Sequence, residues 1–84
     1  MAEEQGITNI YTPSDKMKSE IHTRFTYHPP KKDQPIRYEV IRKEALDFAK
    51  LITALCPESR ELSLALTNLE QAVMWANASI ARNE

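Results

Sequence analysis

The chain has 84 residues, of which 42% are hydrophobic and 27% are charged, and its formal net charge is −1. This length predicts one domain over residues 1–84, and so short a chain buries only about 60% of its unfolded surface, which makes a lone monomer marginal. The near-neutral charge argues against a DNA-binding protein. One cysteine excludes an intrachain disulfide and is typical of a reducing cytoplasm.

Membrane and metal binding find no support in the sequence. No apolar run approaches the roughly 18 residues of a membrane span. The first residues, MAEEQGITNIY, lack the basic and apolar regions of a signal peptide. Neither His nor Cys has the spacing of metal ligands, and no glycine-rich phosphate loop is present. We therefore expect a soluble cytoplasmic protein with no metal, no cofactor and no membrane contact.

The N-terminal part should contain one short helix. Residues 1–11 are expected to be flexible or to dock on another part of the protein. The motif TPSD then predicts a helix start, because Thr12 suits the N-cap and Pro13 suits the first helical position. The helix should run from about Pro13 to His22, and residues 23–26 are expected to be extended.

Two longer helices should follow. The motif DQP predicts a helix from Pro35 to about Leu55, and Pro57 predicts the start of another that runs to about Arg82. Both carry apolar residues at alternating spacings of three and four, the heptad pattern of helices that pack lengthwise. The two predicted seams are Tyr38, Ile41, Ala45, Phe48, Ile52 and Leu55, and Leu62, Leu66, Leu69, Val73, Ala76 and Ile80.

The connection between the two long helices spans only a few residues, so they must pack antiparallel. The predicted fold is all-α: a short N-terminal helix plus an antiparallel helical hairpin. Further apolar residues, among them Leu51, Met74 and Trp75, lie outside both seams. Because a hairpin cannot cover a second apolar face, we expect a compact homo-oligomer.

The segment FTYHPPKKDQPIRY, residues 25–38, is the best candidate for a binding site. Eight of the eleven basic residues lie between residues 14 and 43, in and around this segment. Tyr27 and His28 offer flat faces for base stacking, and the neighbouring cations can neutralise phosphates. The candidate ligand-binding residues are Arg24, Thr26, Tyr27, His28, Pro29, Pro30, Lys31, Lys32 and Arg37, with Tyr11 as an N-terminal aromatic. On composition alone, a connector that packs on the hairpin and exposes its lysines is the simpler interpretation.

Nothing in the sequence indicates catalysis. The acidic residues of the long helices mostly fall outside the apolar seams, as expected of a solvated face. Ser59, Ser63 and Thr67 have no histidine near them in the sequence, and Cys56 has no paired histidine. We therefore expect no catalytic residue and no enzyme activity.

Two long segments carry a family resemblance. They are FTYHPPKKDQPIRYEVIR and LCPESRELSLALTNLEQAVMWANASIARN. Together they resemble the phage cyclic-oligonucleotide sponges that block CBASS immunity, whose hairpin domain is shared with a phage sponge acting against Thoeris immunity. The resemblance covers about residues 24–83, and the first 23 residues match less clearly.

The resemblance implies a non-catalytic protein that sequesters cyclic di- and trinucleotide second messengers in the cytoplasm of an infected bacterium. It implies a homohexamer, with cyclic dinucleotides bound between protomers and cyclic trinucleotides at separate sites in some members. The match to YHPPK implies that residues 27–31 form the pocket or its wall, and Tyr11 is the expected N-terminal stacking residue.

Two departures from the family pattern stand out. Lys32 occupies a position where several relatives have glycine, and Val73 a position where some have arginine. The second departure puts the trinucleotide site in doubt. The alternative function is a protein-interaction module, in which the hairpin docks a partner helix on its second apolar face.

Overall fold

The computed structural model describes residue 6 and residues 8–84 of the chain. Within these residues all regular structure is helical, which confirms the all-α prediction. The helices, in chain order, are α1 (Asp15–Arg24), α2 (Gln34–Leu55) and α3 (Arg60–Asn83). α2 packs against α3, and the side chain of Gln34 at the start of α2 reaches Glu84 just after the end of α3. The two helices therefore form the predicted antiparallel hairpin.

The prediction for residues 1–11 can be compared with the structure only at residue 6 and residues 8–11, because residues 1–5 and 7 lie outside the described residues. Residues 8–14 have no regular secondary structure and are exposed. No residue of α1 is buried. The N-terminal part thus adds little to the core of a single chain.

α1 begins two residues later than the sequence predicted. Ser14, not Thr12, is the N-cap: its hydroxyl accepts a hydrogen bond from the Met17 amide at 3.1 Å. The helix then continues through Arg24, so the extended conformation predicted for residues 23–26 is wrong for its first two residues. Ser14 lies two residues after Thr12, and its hydroxyl satisfies one of the free amides of the first turn.

The long helices begin at polar residues. Pro35 lies in the first turn of α2, as predicted, and Asp33 is the N-cap, although its side chain makes no capping hydrogen bond. α3 begins at Arg60, three residues after Pro57, because the Ser59 hydroxyl accepts from the Leu62 amide at 3.1 Å. The predicted start at Pro57 is therefore wrong.

The seam between the long helices follows the heptad prediction on α3 and departs from it on α2. All six predicted α3 residues are buried or half-buried, with Leu62 at 8% exposure. On α2 the half-buried residues include Ala49, whereas Phe48 is 51% exposed and Leu55 is 74% exposed. Those two predicted seam positions are wrong for the single chain, whose seam on α2 shifts by one residue at Ala49.

The single chain is an extended molecule with a thin core. Its radius of gyration is 19.1 Å and its principal extents are 55 × 37 × 19 Å, whereas a globular chain of this length has a radius of gyration of about 12 Å. Among the described residues, Leu62 is the one large apolar side chain that is buried, and it is still 8% exposed. In the same part of the chain, no helix has both the length and the apolar character needed to cross a bilayer.

Candidate functional site

The segment between α1 and α2 is anchored at its start by histidine. Phe25 ends α1 by donating its amide to the Ile21 carbonyl at 3.0 Å. His28 then turns back, and its Nε2 lies 2.7 Å from the Thr23 carbonyl oxygen. Because a carbonyl can only accept, His28 Nε2 carries the proton and donates it. This bond holds the half-buried imidazole against the end of α1 and fixes the position of the prolines after it.

The segment, the first turns of α2 and the last turns of α3 line a wide cavity of about 390 Å³ that is open to solvent. Volumes of roughly 300–1,000 Å³ are typical of small-molecule sites. Four predicted site residues line the cavity together with six residues from the two helices. The lining consists of Arg24, Thr26, Tyr27, His28, Tyr38, Arg42, Asn77, Ala78, Ala81 and Arg82.

The lining of this cavity is strongly cationic. Arg24, Arg42 and Arg82 come from three different parts of the chain, and the lining contains no Asp or Glu from residue 6 or residues 8–84. Within the described residues none of the three arginines forms an ion pair with a carboxylate. A guanidinium group presents two parallel N–H donors that match the oxygens of a phosphate. The cavity therefore suits an anion with more than one negative charge.

Two tyrosines give the same cavity flat apolar surfaces. Tyr27 is 79% exposed, and Tyr38 is half-buried at the beginning of the hairpin seam. An aromatic ring beside a cationic groove is the arrangement by which proteins stack nucleobases while holding their phosphates, and each stacked base is worth about 1–3 kcal/mol. The exposure of Tyr27 leaves one ring face available to a ligand.

Asn77 adds a polar group whose hydrogen bonding is incomplete. Its side-chain oxygen is buried in the single chain and has no donor among the described residues, although the residue lines the cavity. A buried acceptor without a partner costs about 1–3 kcal/mol. A ligand that donates a hydrogen bond to this oxygen would remove that cost.

The remaining predicted site residues lie outside this lining. Tyr11 is 87% exposed, and Pro29 and Pro30 are exposed in the connecting segment. Lys31 and Lys32 instead line a second cavity of about 420 Å³, whose other lining residues are Asp33, Gln34 and Glu84. Lys32 has a left-handed backbone with φ of 51°, the conformation that favours the glycine expected there in relatives.

Arg37 is held by acidic partners rather than left open to a ligand. Its Nη1 donates to Glu84 Oε2 at 2.7 Å, its Nη2 donates to the other oxygen of the same carboxylate, and Asp33 lies 3.3 Å away. The Gln34 amide donates to Glu84 Oε1 at 3.1 Å, and Lys31 Nζ donates to the Glu84 main-chain oxygen at 3.2 Å. Arg37 and Gln34 hold the pKa of the Glu84 carboxyl down to about 2, and the hydrogen bond to Glu84 raises the pKa of Arg37.

Sequence reasoning missed Arg42, Asn77 and Arg82 as site residues. Arg42 lies one helical turn after Tyr38, so the two share a face of α2. Asn77 and Arg82 are near the end of α3, which an antiparallel hairpin brings beside the first turns of α2. These positions follow from the predicted antiparallel hairpin. Placing the start of α2 beside the end of α3 would have identified the three residues as neighbours of the connecting segment.

The family model described as "Acb2/Tad1, hairpin domain" matches residues 17–81, more than half of the chain. The matched range contains most of α1, the connecting segment, α2 and nearly all of α3. No curated protein and no solved structure matches the chain.

Proposed function

We propose that this chain, which belongs to the Acb2/Tad1 hairpin family of anti-CBASS and anti-Thoeris sponges, sequesters cyclic oligonucleotides without turnover. Cyclic dinucleotides are the first ligand class, and cyclic trinucleotides are the second. By removing these messengers in the cytoplasm of an infected bacterium, the protein would keep CBASS effectors silent. The family is of the sponge type and is not a known enzyme family, which supports binding over catalysis.

The observation that carries this proposal is the cavity where two tyrosines meet three arginines, none of which is paired with a carboxylate of the described residues. A cyclic dinucleotide has two phosphodiesters, each with one negative charge, and two flat bases. Arg24, Arg42 and Arg82 match the charges, and Tyr27 and Tyr38 offer surfaces for the bases. Among the residues that the structure describes, no carboxylate in the lining repels the phosphates.

Assembly of several copies is part of the same proposal. On α2, five of the six large apolar side chains that are exposed fall within roughly 120° of the helix circumference, taken at 100° per residue, and Leu46 is the exception. We name this surface the α2 stripe; it consists of Ile36, Val40, Phe48, Leu51 and Leu55. So much exposed apolar surface on a thin core is what a subunit presents before association. A homohexamer, the form implied by the resemblance, would cover the stripe and complete the cavity with residues of a neighbouring subunit.

The decisive experiment recovers the ligand intact. The protein is incubated with a cyclic dinucleotide, the free ligand is removed by filtration, and the retained fraction is heated and chromatographed. A sponge keeps the ligand out of the filtrate and releases it unchanged on heating. Ligand that stays in the filtrate would refute the proposal, and cleaved ligand would show an enzyme.

A matched pair of variants assigns the binding to the cavity. Arg82→Gln removes one cavity guanidinium, and Arg60→Gln makes the same change at the exposed first residue of α3, outside the lining. A hydrogen bond to a charged group contributes about 1.5–3 kcal/mol, so the first variant should weaken binding about tenfold or more. Equal affinities of the two variants, measured by calorimetry, would place the ligand elsewhere.

A second function is favoured by the exposed apolar side chains of α3. Trp75 is 67% exposed and Met74 is 61% exposed, and large exposed aromatic and methionine side chains are typical of protein-binding surfaces. The hairpin would then dock a helix of another protein without binding a nucleotide. Failure to retain any cyclic oligonucleotide, together with a monomeric mass in solution, would favour this alternative.

A further inference from the structure

A group of hydrogen-bond donors surrounds one carboxylate at the open end of the hairpin, next to the cavity of about 420 Å³. We name this group the Glu84 cluster; it consists of Lys31, Gln34 and Arg37 around Glu84. The Glu84 side chain accepts from both terminal nitrogens of Arg37 and from the Gln34 amide, which lies 3.1 Å away. Lys31 Nζ donates to the Glu84 main-chain oxygen.

Gln34 makes this cluster a preformed site. The residue is only 3% exposed, and its Oε1 accepts the Lys31 amide at 2.9 Å. Because its oxygen is used in this way, the amide nitrogen is fixed as the end that faces Glu84. A buried amide donor with a set direction beside a guanidinium fork is a receptor for an oxyanion, and Glu84 supplies that oxyanion from within the chain.

We infer that the Glu84 cluster is a phosphate-binding site, filled in the free chain by the Glu84 carboxylate, which a phosphate group displaces. The inference deepens the proposed function, because it gives the Lys31–Arg37 end of the connecting segment its own ligand group. It also makes Glu84 an intramolecular competitor of phosphate, which lowers the affinity of Lys31 and Arg37 for that ligand.

The charges around the second cavity fit this exchange. Its lining and Arg37 beside it contain three cations, and Asp33 and Glu84 are the two carboxylates. With Glu84 turned outward the net charge of the remaining groups is +2, which a doubly charged phosphate neutralises. Asp33 stays in place beside Arg37 at 3.3 Å and disfavours binding of a highly charged anion, so affinity for phosphate stays moderate.

Glu84 lies where its side chain can turn toward solvent. It follows the last residue of α3, Asn83, and its side chain is 42% exposed. The hydrogen bonds of its side chain go to Gln34 and Arg37 of α2. Turning the side chain outward therefore breaks no hydrogen bond within α3. Because the carboxylate is tethered beside its donors, it competes at an effective concentration on the order of millimolar. A free phosphate must exceed that competition, whereas removal of the carboxylate leaves the donors open.

The test compares Glu84→Gln with the wild type and with Asp47→Asn. The control removes the same charge from an exposed ion pair with Lys43, away from the cluster. Inorganic phosphate is titrated at constant ionic strength, and the Arg37 Nε–H and Lys31 amide signals are followed by NMR. We expect a saturable shift at least tenfold tighter in Glu84→Gln than in the wild type and in Asp47→Asn. Equal responses of all three proteins, or a shift that never saturates, would overturn the inference.

A second pair of measurements guards against misfolding and identifies the source of the phosphate. Circular dichroism melts verify that each variant is folded, and Arg37→Gln placed in the Glu84→Gln background must abolish the shift. A persistent shift in the double variant would refute the site. A cyclic dinucleotide is then titrated in place of phosphate: movement of the Lys31 and Arg37 signals assigns the site to the phosphodiester, and movement of cavity signals alone assigns it to free phosphate.

The two proposals fail separately. If the wild type retains no cyclic oligonucleotide but Glu84→Gln binds inorganic phosphate saturably, the proposed function is wrong and the phosphate site stands. If the wild type retains the ligand and Glu84→Gln binds phosphate no better than Asp47→Asn, the sponge stands and the cluster is structural.

Discussion

Lys32 combines an unfavourable backbone conformation with a side chain that lines the second cavity. Its φ of 51° lies in the left-handed region, which costs a residue with a Cβ roughly 1–2 kcal/mol compared with glycine. The residue sits between the rigid Pro29-Pro30 pair and the start of α2, where the chain must reverse within a few residues. A lysine there adds a cation to the second cavity at the expense of backbone stability.

Lys32→Gly should therefore raise the free energy of unfolding by up to about 1 kcal/mol, because the left-handed strain is relieved. The matched control is Lys50→Gly in the exposed middle of α2, where glycine lowers helix stability by about 1 kcal/mol. Chemical denaturation of both variants measures the difference. Losses of similar size at the two positions would show that Lys32 is not strained.

Glu84 defines a second residue-scale prediction, on pH. Its pKa falls from the ordinary value of 4.5 to about 2 in the folded chain, chiefly through its hydrogen bond to Arg37. A lowered pKa means that the folded state favours the charged carboxylate, so this stabilisation is complete above pH 4.5 and is lost as the pH falls toward 2. Lowering the pH from 7 to 5 should leave it intact.

The measurement is the difference in melting temperature between the wild type and Glu84→Gln as the pH is lowered. We expect a constant difference between pH 7 and pH 5 and a decline only between about 4.5 and about 2. Because both proteins share every other titrating group, the difference isolates Glu84. A difference that already vanished at pH 6 would show that Glu84 is not paired with Arg37.

At the scale of the helices, serine residues fix where α1 and α3 begin. Ser14 and Ser59 each accept a hydrogen bond from the amide three residues later, at 3.1 Å in both cases. These bonds satisfy amides that have no partner within the helix. The start of α3 matters most, because Leu62 in its first turn is the most deeply buried apolar side chain described.

Ser59→Ala should lower the free energy of unfolding by about 1 kcal/mol, the usual cost of losing an N-cap. The control is Ser63→Ala one turn later, an exposed position within the helix where alanine is neutral or slightly stabilising. Thermal melts distinguish the two. An equal loss in both variants would rule out the capping role.

Helix number, order and pairing were predictable from the sequence because prolines and apolar spacing act locally. The first residues of α1 and α3 were not predictable. Either Thr12 or Ser14 is a possible N-cap of α1, and either Pro57 or Ser59 is a possible start signal of α3. Phe48 was misassigned because heptad spacing cannot say when a small residue, Ala49, takes its place in the seam. The first half of the cavity was predictable from one segment. The other half of the cavity forms where the start of α2 meets the end of α3. Arg42 and Arg82 were therefore not predicted as site residues.

At the scale of the whole molecule, the single chain exposes too much apolar surface for its thin core. Its radius of gyration of 19.1 Å is well above the roughly 12 Å of a globular chain of this length. Under the proposed assembly, folding and association are linked, so the melting temperature should rise with protein concentration. The α2 stripe is the surface on which this depends.

Leu51→Glu should break the proposed assembly, because it buries a charge in the α2 stripe. Leu46→Glu is a closely matched control: Leu46 is 53% exposed and Leu51 is 51% exposed, but Leu46 lies outside the stripe on the same helix. Sedimentation should show that Leu51→Glu reduces the mass to that of smaller species and that Leu46→Glu does not. Equal masses for both variants would place the interface on another face.

The two ends of the hairpin carry different chemical groups, so the end away from the cavity can be labelled on its own. Cys56, the one cysteine of the sequence, is exposed at the turn between α2 and α3. The cationic cavity lies toward the opposite end, and even its nearest lining residue on α2, Arg42, is roughly 21 Å from the turn at 1.5 Å per residue. A spin label on this thiol would mark every hairpin tip without touching the cavity. The distances between labels would then act as a ruler that tells whether neighbouring subunits point the same way or in opposite directions.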